Sequence, residues 1–470
     1  MFASAAVKIR NFALMNWNHC FSAARLGQER ISDDSRTAYE RDYDRIIFSS
    51  AFRRLQNKTQ IFPLPEYRLV HNRLTHSLEV VSVGRSLASL AGRNIAELPE
   101  LKGDDTATNF YLHQLPAVIA AACLAHDLGN PAFGHSGEKA ISRYFIDQSD
   151  NKNFRGKFSS AQWADLIAFE GNANAFRLLT HTFNHRPAGG FQATYSVLAA
   201  LLKYPCESLA VDKQQGKHRS KYGYFQSDKG AFEQLISHLP YLCQSQQPQA
   251  HFRHPFVYLT EAADDICYTI VDYEDAHRLG ILGYAQVKED FLYLLKSLPH
   301  GEVDRVKNRL PGYEGDPNEA VAYLRAKCIN ALVQGCAQIF AEKQNELLSG
   351  NFEGALLDHL AEAKPALRQI SGTSVQRIYN QESVLKIEMA GYTIMGGLVQ
   401  QLVEAILEAP EHRHASQHKL LALMPAQFTP QDEWSPYEKV MSVLDFVSGM
   451  TDNYALELYR NLSGISLPGI

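Results

Sequence analysis

The amino-acid sequence predicts an all-α fold, and three observations carry that expectation. Apolar residues recur at three- and four-residue spacing along most of the chain, the period of an amphipathic helix. Alternating strand patterns are few, and hints such as 208–212 and 222–226 are too short for a sheet-based fold. Clusters of Pro, Gly and small polar residues punctuate the periodic segments at 99–107, 186–190, 205–230 and 297–316.

In chain order, helices are expected over 76–91, 116–128, 161–181, 191–203, 256–280, 317–345, 353–363 and 383–408. The second is apolar without a break from Ala117 to Ala125, which marks a helix buried on every side. The breaker-rich stretch near 285–316 suggests a division into three parts. These are an N-terminal extension and arm (1–50), a helical core holding the chemistry (51–285), and a C-terminal helical lobe covering it (286–470). The first acidic residue is Glu29, so the leader, with Lys8, Arg10 and Arg25, has the composition of a transit peptide. Met15 is the preferred start, which makes 1–14 an extension.

Composition narrows the classes. With 470 residues, 45% apolar and 21% charged, the chain reads as an ordinary soluble globular protein. No apolar run approaches the roughly 18 residues of a membrane span. The net charge of −5 gives no bulk attraction to nucleic acid, so any anion site must be local. The seven cysteines form no CxxC pair, which argues for a reducing, cytoplasmic setting and against a cysteine zinc site.

The stretch LAHDLGNPAFGHSGE (124–138) ends the apolar helix on an adjacent His126–Asp127 pair. An imidazole and a carboxylate at a buried helix end are costly unless something pairs with them. Two further features offer partners: His76 in RLTH (73–76), and the acidic helix EAADDICYTIVDYED (261–275). Neutral imidazoles and carboxylates together suit a divalent first-row metal. Within the acidic helix, Asp264, Tyr268 and Asp272 stand at i, i+4 and i+8 on one face, beside an apolar stripe of Ala262, Ile266 and Ile270. Asp264 is therefore the expected ligand, and Asp265 is expected to cap, pair or face solvent.

These pieces together resemble the deoxyguanosine triphosphate triphosphohydrolase family of the HD-domain phosphohydrolase superfamily. The stretches that carry the likeness run in order through most of the chain. They are RTAYERDYDRIIFSSAFRRLQNKTQIFPL (36–64), RLTHSLEV (73–80), AHDLGNPAFGHSGE (125–138), FEGNANAFRLL (169–179), LLKYP (201–205), KYGYFQSD (221–228), EAADDICYTIVDYEDA (261–276) and DFVSGMTDNYAL (445–456). The resemblance implies an all-α HD-domain core with a C-terminal helical lobe, assembled as a hexamer or tetramer. It implies cleavage of a deoxynucleoside triphosphate, dGTP foremost, to the deoxynucleoside and inorganic triphosphate.

Residue by residue, the resemblance gives His76, His126, Asp127 and Asp264 as ligands of a divalent metal, with manganese, magnesium, iron and nickel all compatible. It gives His135 as catalytic histidine, with Glu138 beside it. Arg73, Lys221 and Tyr268 match positions that hold the triphosphate, and Gln60 and Asp272 match positions that read the sugar. Asn172 falls in the EGNA segment; Asn174 stands where relatives often have glutamine. Glu388, from the C-terminal lobe, is a candidate for approaching the base.

The chemistry explains the residue types. Attack at an α-phosphorus needs several phosphate charges neutralised and the nucleophile aligned. Arg73 offers a planar fork for two oxygens and Lys221 a point charge. The 5′-oxygen of a sugar is a poor leaving group, and histidine is the side chain whose ordinary titration range suits protonating it. Lys221 is the one member of the basic segment 213–224 expected to face phosphate. Two other readings stand beside this one. One is an HD phosphohydrolase acting on a different nucleotide. The other is a regulator that binds a nucleotide or single-stranded nucleic acid; relatives also admit an allosteric nucleotide or single-stranded DNA.

Overall fold

The computed structural model describes residues 15–27, 35–62, 70–186, 189–239, 243–245, 247–313, 315–431 and 433–466; the proposed extension 1–14 lies outside them. Helices form over most of the periodic segments, and several are started by a side chain that satisfies free N–H groups of the first turn. Thr37 and Glu40 make a capping box for α1 (Ala38–Ile47). Asn72 and Thr75 do the same for α2 (Arg73–Ala96). Then follow α3 (Leu115–Ala125), α4 (Gly134–Asp147), α5 (Ser160–Ile167), α6 (Gly171–Thr180), α7 (Tyr195–Leu201), α8 (Pro255–Arg278) and α9 (Pro317–Glu342). The chain closes with α10 (Lys364–Thr373), α11 (Glu382–Leu407), α12 (Pro436–Ser448) and α13 (Asp452–Leu462).

Three expectations change. The helix expected over 161–181 is two, because Ala168 leaves the helical conformation, Glu170 is extended, and the Glu170 side chain caps the new start at Asn172 N. The segment 353–363 holds only a 3₁₀ turn, Leu356–His359. Buried Leu356 and Leu357 pin it to the core, and the Asp358 carboxylate takes the Ala355 N–H, which fixes a turn and not a helix. Neither strand hint is a strand. Ser208–Ala210 is a 3₁₀ turn, and the sheet among the described residues pairs Cys243–Ser245 antiparallel with Ala250–His251. Of these helices, α1, α4, α10, α12 and α13 fall outside the periodic segments.

Two apolar cores hold these helices. In the first, α2 packs on α3, α1 and α7 close over α3, and α8 and α9 lie against α2. This core runs across residues 285–316 and includes Leu324, Leu332 and Phe340 of α9. The second joins residues 132–250 with 394–455, where α4 and α12 pack on α11. No described helix is long and apolar enough to cross a membrane.

The junction between α12 and α13 ties the cores together. Asp445 accepts from Arg177 Nε at 2.7 Å and Nη2 at 2.8 Å, and Asp228 takes the third guanidinium nitrogen at 3.1 Å. All three residues are buried. Removing one partner of a buried ion pair typically costs about 3–5 kcal/mol, because the other charge is left uncompensated. We expect Asp445→Ala to lose stability in that range, read as a lowered urea midpoint. A midpoint within experimental error of wild type would show that Asp228 alone neutralises Arg177.

Candidate active site

A cavity of about 530 Å³ opens between α2, α4, α8 and α11. At its base, α3 ends where the apolar run ends. His126 Nδ1 hydrogen-bonds Cys123 O at 2.7 Å, and this turns Nε2 inward. Nε2 is buried and has no hydrogen-bond partner, at 3.7 Å from Asp127 Oδ1 and 3.6 Å from Asp264 Oδ1. From α2, His76 Nε2 reaches Asp264 Oδ1 at 3.1 Å, with the two imidazoles edge to face at 5.4 Å. Ligand atoms of His76, His126 and Asp127 lie within 4.8 Å of one another, a spacing that can hold a metal ion. The orphaned Nε2 and this donor set of two imidazoles and two carboxylates fit a divalent metal.

The charges are mutually shifted. Burial works against a charged His126, but Asp127 and Asp264 push its pKa up to about 9. His126, with His76, in turn holds the Asp264 carboxyl well below its ordinary value, and Arg73 lowers Asp127.

The turn after the pair is set by close packing. Gly129 N–Cα sits so near α6 that a Cβ there would lie 2.0 Å from Gly171 O. Gly171 in turn has no room, with Asn130 Oδ1 and Glu138 Oε1 at 2.5 and 2.6 Å from its would-be Cβ. Phe133 then takes a left-handed conformation, φ 61°, and α4 begins. That places His135 on the cavity rim, its side chain 74% exposed, with Nδ1 on Glu138 Oε2 at 2.7 Å. The other Glu138 oxygen accepts from Gly171 N at 2.8 Å, so the carboxylate is fixed from both sides.

The other expected residues gather around this base, with one exception. Arg73 lines the cavity and donates to Asp127 Oδ2 at 2.7 Å. Lys221 lines it and pairs with Glu170 at 2.9 Å. Of its basic neighbours, Lys217 pairs with buried Glu261 and Arg219 donates to Ala210 O. Gln60, Tyr268, Asn172 and Glu388 also line the cavity. Asp272 does not: it is 3% exposed and lies behind Tyr379, whose hydroxyl donates to it at 3.3 Å. Asn174 is buried and structural, donating to Gly129 O and Ser448 Oγ. Asp265, expected to cap, pair or face solvent, lines the cavity beside Asp264. Burial and the nearby carboxylates Glu261 and Asp264 push it up to about 7, against the pull of Lys203.

Sequence reasoning missed Lys203, Tyr204, Asn130 and Tyr379, which all line the cavity. The first two lie inside LLKYP, where a lysine and a tyrosine end an apolar helix, and that signal was readable. Tyr379 carries no local mark, because its role comes from a fold contact with α8.

Comparison with known proteins identifies relatives of the whole chain. The HD domain family matches residues 73–168, and the phosphohydrolase-associated domain family matches residues 355–461. The chain is 38% identical over 461 residues to a deoxyguanosinetriphosphate triphosphohydrolase-like protein of Synechocystis sp., covering 96% of this chain and all of the relative. A Pseudomonas aeruginosa protein of the same description is 36% identical over 461 residues, covering 97% of this chain and all of its own length. A deoxyguanosinetriphosphate triphosphohydrolase of Yersinia pestis is 29% identical over 491 residues, covering 90% of this chain and 93% of its own.

The shifted pair makes a prediction for the metal-free protein. A raised His126 binds its proton more tightly folded than unfolded. Its contribution is therefore complete below the ordinary value of 6.5 and is lost as pH rises towards 9. In chelator, the melting temperature is expected to fall across that window, and His126→Gln should flatten the fall. An equal fall in both proteins would trace it to other groups.

Proposed function

The chain belongs to the deoxyguanosinetriphosphate triphosphohydrolase-like family of HD-domain hydrolases, and we propose that it cleaves deoxynucleoside triphosphates, dGTP foremost, to deoxynucleoside and inorganic triphosphate. One observation carries this reading. A single cavity collects the His76, His126, Asp127 and Asp264 donors, the cations Arg73, Lys203 and Lys221, and His135, whose ring is held from behind by Glu138. The four donors would hold a divalent metal, and when bound it supplies a Lewis acid and a more acidic water.

The chain's own residues do the rest. Arg73 is anchored by Asp127, so its remaining guanidinium edge is presented to phosphate without a search through rotamers. Lys221 and Lys203 are held by Glu170 and Glu261, which set where their ammonium groups stand. Water oxygen bonds to the α-phosphorus as the bond from phosphorus to the 5′-oxygen breaks; the proton shed by the water passes to solvent, which later reprotonates His135. With Nδ1–H donated to Glu138, His135 can give the proton on Nε2 to that oxygen. Tyr268, 45% exposed, offers a flat face beneath the sugar, and Gln60 a polar group beside it. Assembly as a hexamer or tetramer is part of the same proposal and rests on the resemblance. Regulation by a nucleotide or single-stranded DNA rests on the resemblance.

Two experiments test the reading. ³¹P NMR of dGTP incubated with the protein and each divalent metal should show intact inorganic triphosphate. Orthophosphate or pyrophosphate as first product, or turnover only of another nucleotide, would favour a different HD phosphohydrolase. Separately, Asp264→Ala is expected to lose bound metal and activity together. His135→Ala should keep metal and lose roughly 10²- to 10⁴-fold in kcat. Near-normal turnover by the histidine variant would remove its role as acid.

A further inference from the structure

The face of α8 that carries Asp264, Tyr268 and Asp272 covers eight residue steps, about 12 Å of helix. The cavity reaches the first two and stops short of the third. Tyr379 closes it there. Its ring stacks on Tyr268, with centroids 5.7 Å apart and planes at 16°. Its hydroxyl donates to Asp272 Oδ2 at 3.3 Å, long for a hydroxyl donor. Asp272 is otherwise sealed, and the neighbouring Asp275 is engaged by His71. Tyr379 follows directly on a π-helical turn, Ser374–Ile378, between α10 and α11. Such turns are wider than the α-helix and are often found at functional sites.

We propose that Tyr379 is a gate at the sugar end of the cavity, and that its phenol hydroxyl holds Asp272 until the 3′-hydroxyl of a deoxynucleotide replaces it. The inference rests on the nucleotide reading of the site. A phenol and a secondary alcohol are both hydroxyl donors, so the exchange leaves the buried carboxyl satisfied in each state. A sugar without a 3′-hydroxyl opens the gate but leaves Asp272 unpaired, which makes Tyr379 and Asp272 together select for that hydroxyl. Tyr268, stacked under the phenol when the gate is closed, is uncovered for the sugar when it opens.

Equilibrium binding of dGTP and of 2′,3′-dideoxyguanosine triphosphate, measured calorimetrically in a His135→Ala background, tests the gate. Tyr379→Phe keeps the stacked ring and removes only the competing hydroxyl. It is expected to tighten both nucleotides by a similar factor, about two- to tenfold, the range of one net hydrogen bond. Asp272→Ala, which removes the acceptor, should bring the preference for dGTP over the dideoxynucleotide close to one. If Tyr379→Phe weakens binding, the tyrosine is a substrate contact and the gate is wrong; unchanged affinity also overturns it. If the preference survives Asp272→Ala, the 3′-hydroxyl does not go to Asp272. Failure of the parent protein to bind either nucleotide overturns the nucleotide reading and the gate with it, an outcome distinct from the rest.

Discussion

The structure depends on one awkward placement: an imidazole and a carboxylate at the end of a helix that is buried on all sides. Residues Val118 to Ala125 are 0–3% exposed, so His126 and Asp127 emerge from a medium with no water to solvate them. Their partners must come from the protein, and each comes from a different direction. Arg73 and His76 come from the first turn of α2, Asp264 from the middle of α8, and Asn130 from the turn itself. Bringing three helix segments to one point explains why α2, α3 and α8 pack so closely together.

The turn that follows is held from the far end of the chain. Lys58 is buried and donates to Asn130 O at 2.5 Å and Ser448 O at 2.9 Å. Asp452 accepts from Thr59 N at 2.8 Å and Phe133 N at 3.0 Å. Asn174 bridges Gly129 O and Ser448 Oγ. The junction between α12 and α13 therefore acts as a clamp on the two loops, 58–60 and 129–133, that form the cavity floor. Backbone groups in loops near a buried site need such partners, since water does not reach them. The C-terminal helices are thus part of the scaffold of the site, and not a separate cover over it.

This explains what the sequence showed and what it hid. The all-α class and the long helices were legible because periodicity is a local property, and α2, α8, α9 and α11 each keep it for six turns or more. The base of the site was legible because His126–Asp127 is locally anomalous: polar groups where the pattern demands apolar ones. The stripe of Asp264, Tyr268 and Asp272 was readable for the same reason. Its exposure was not, because whether Asp272 meets the cavity depends on Tyr379, 107 residues away. The division near 285–316 falls on two helices, Tyr284–Lys296 and Val303–Arg309, and the first apolar core runs straight through it, since packing follows space and not chain order. The break at Ala168–Glu170 was hidden because its cause, a glutamate cap, lies within an otherwise helical pattern.

The helix α8 then does more than supply one ligand. Glu261, one turn before Asp264, is fully buried. It forms ion pairs with Lys203 at 3.1 Å and Lys217 at 2.8 Å and accepts from Arg253 Nη1 at 2.6 Å. One carboxylate facing three cations leaves a local excess of positive charge, in a protein whose net charge is −5. Desolvated, these charges are stable only because Glu261 partly neutralises them, and they remain attractive to an anion because it does so only partly. Along the same rod, Glu261 organises cations, Asp264 faces the imidazoles, Tyr268 presents a ring, and Asp272 waits behind Tyr379. A straight helix keeps these at fixed spacings, about 1.5 Å of rise per residue, so the order of the residues becomes an order of subsites. In the nucleotide reading that order is phosphate tail, metal, sugar. A rigid helix is better suited than loops to hold such a register, because its spacing does not change when the cavity fills.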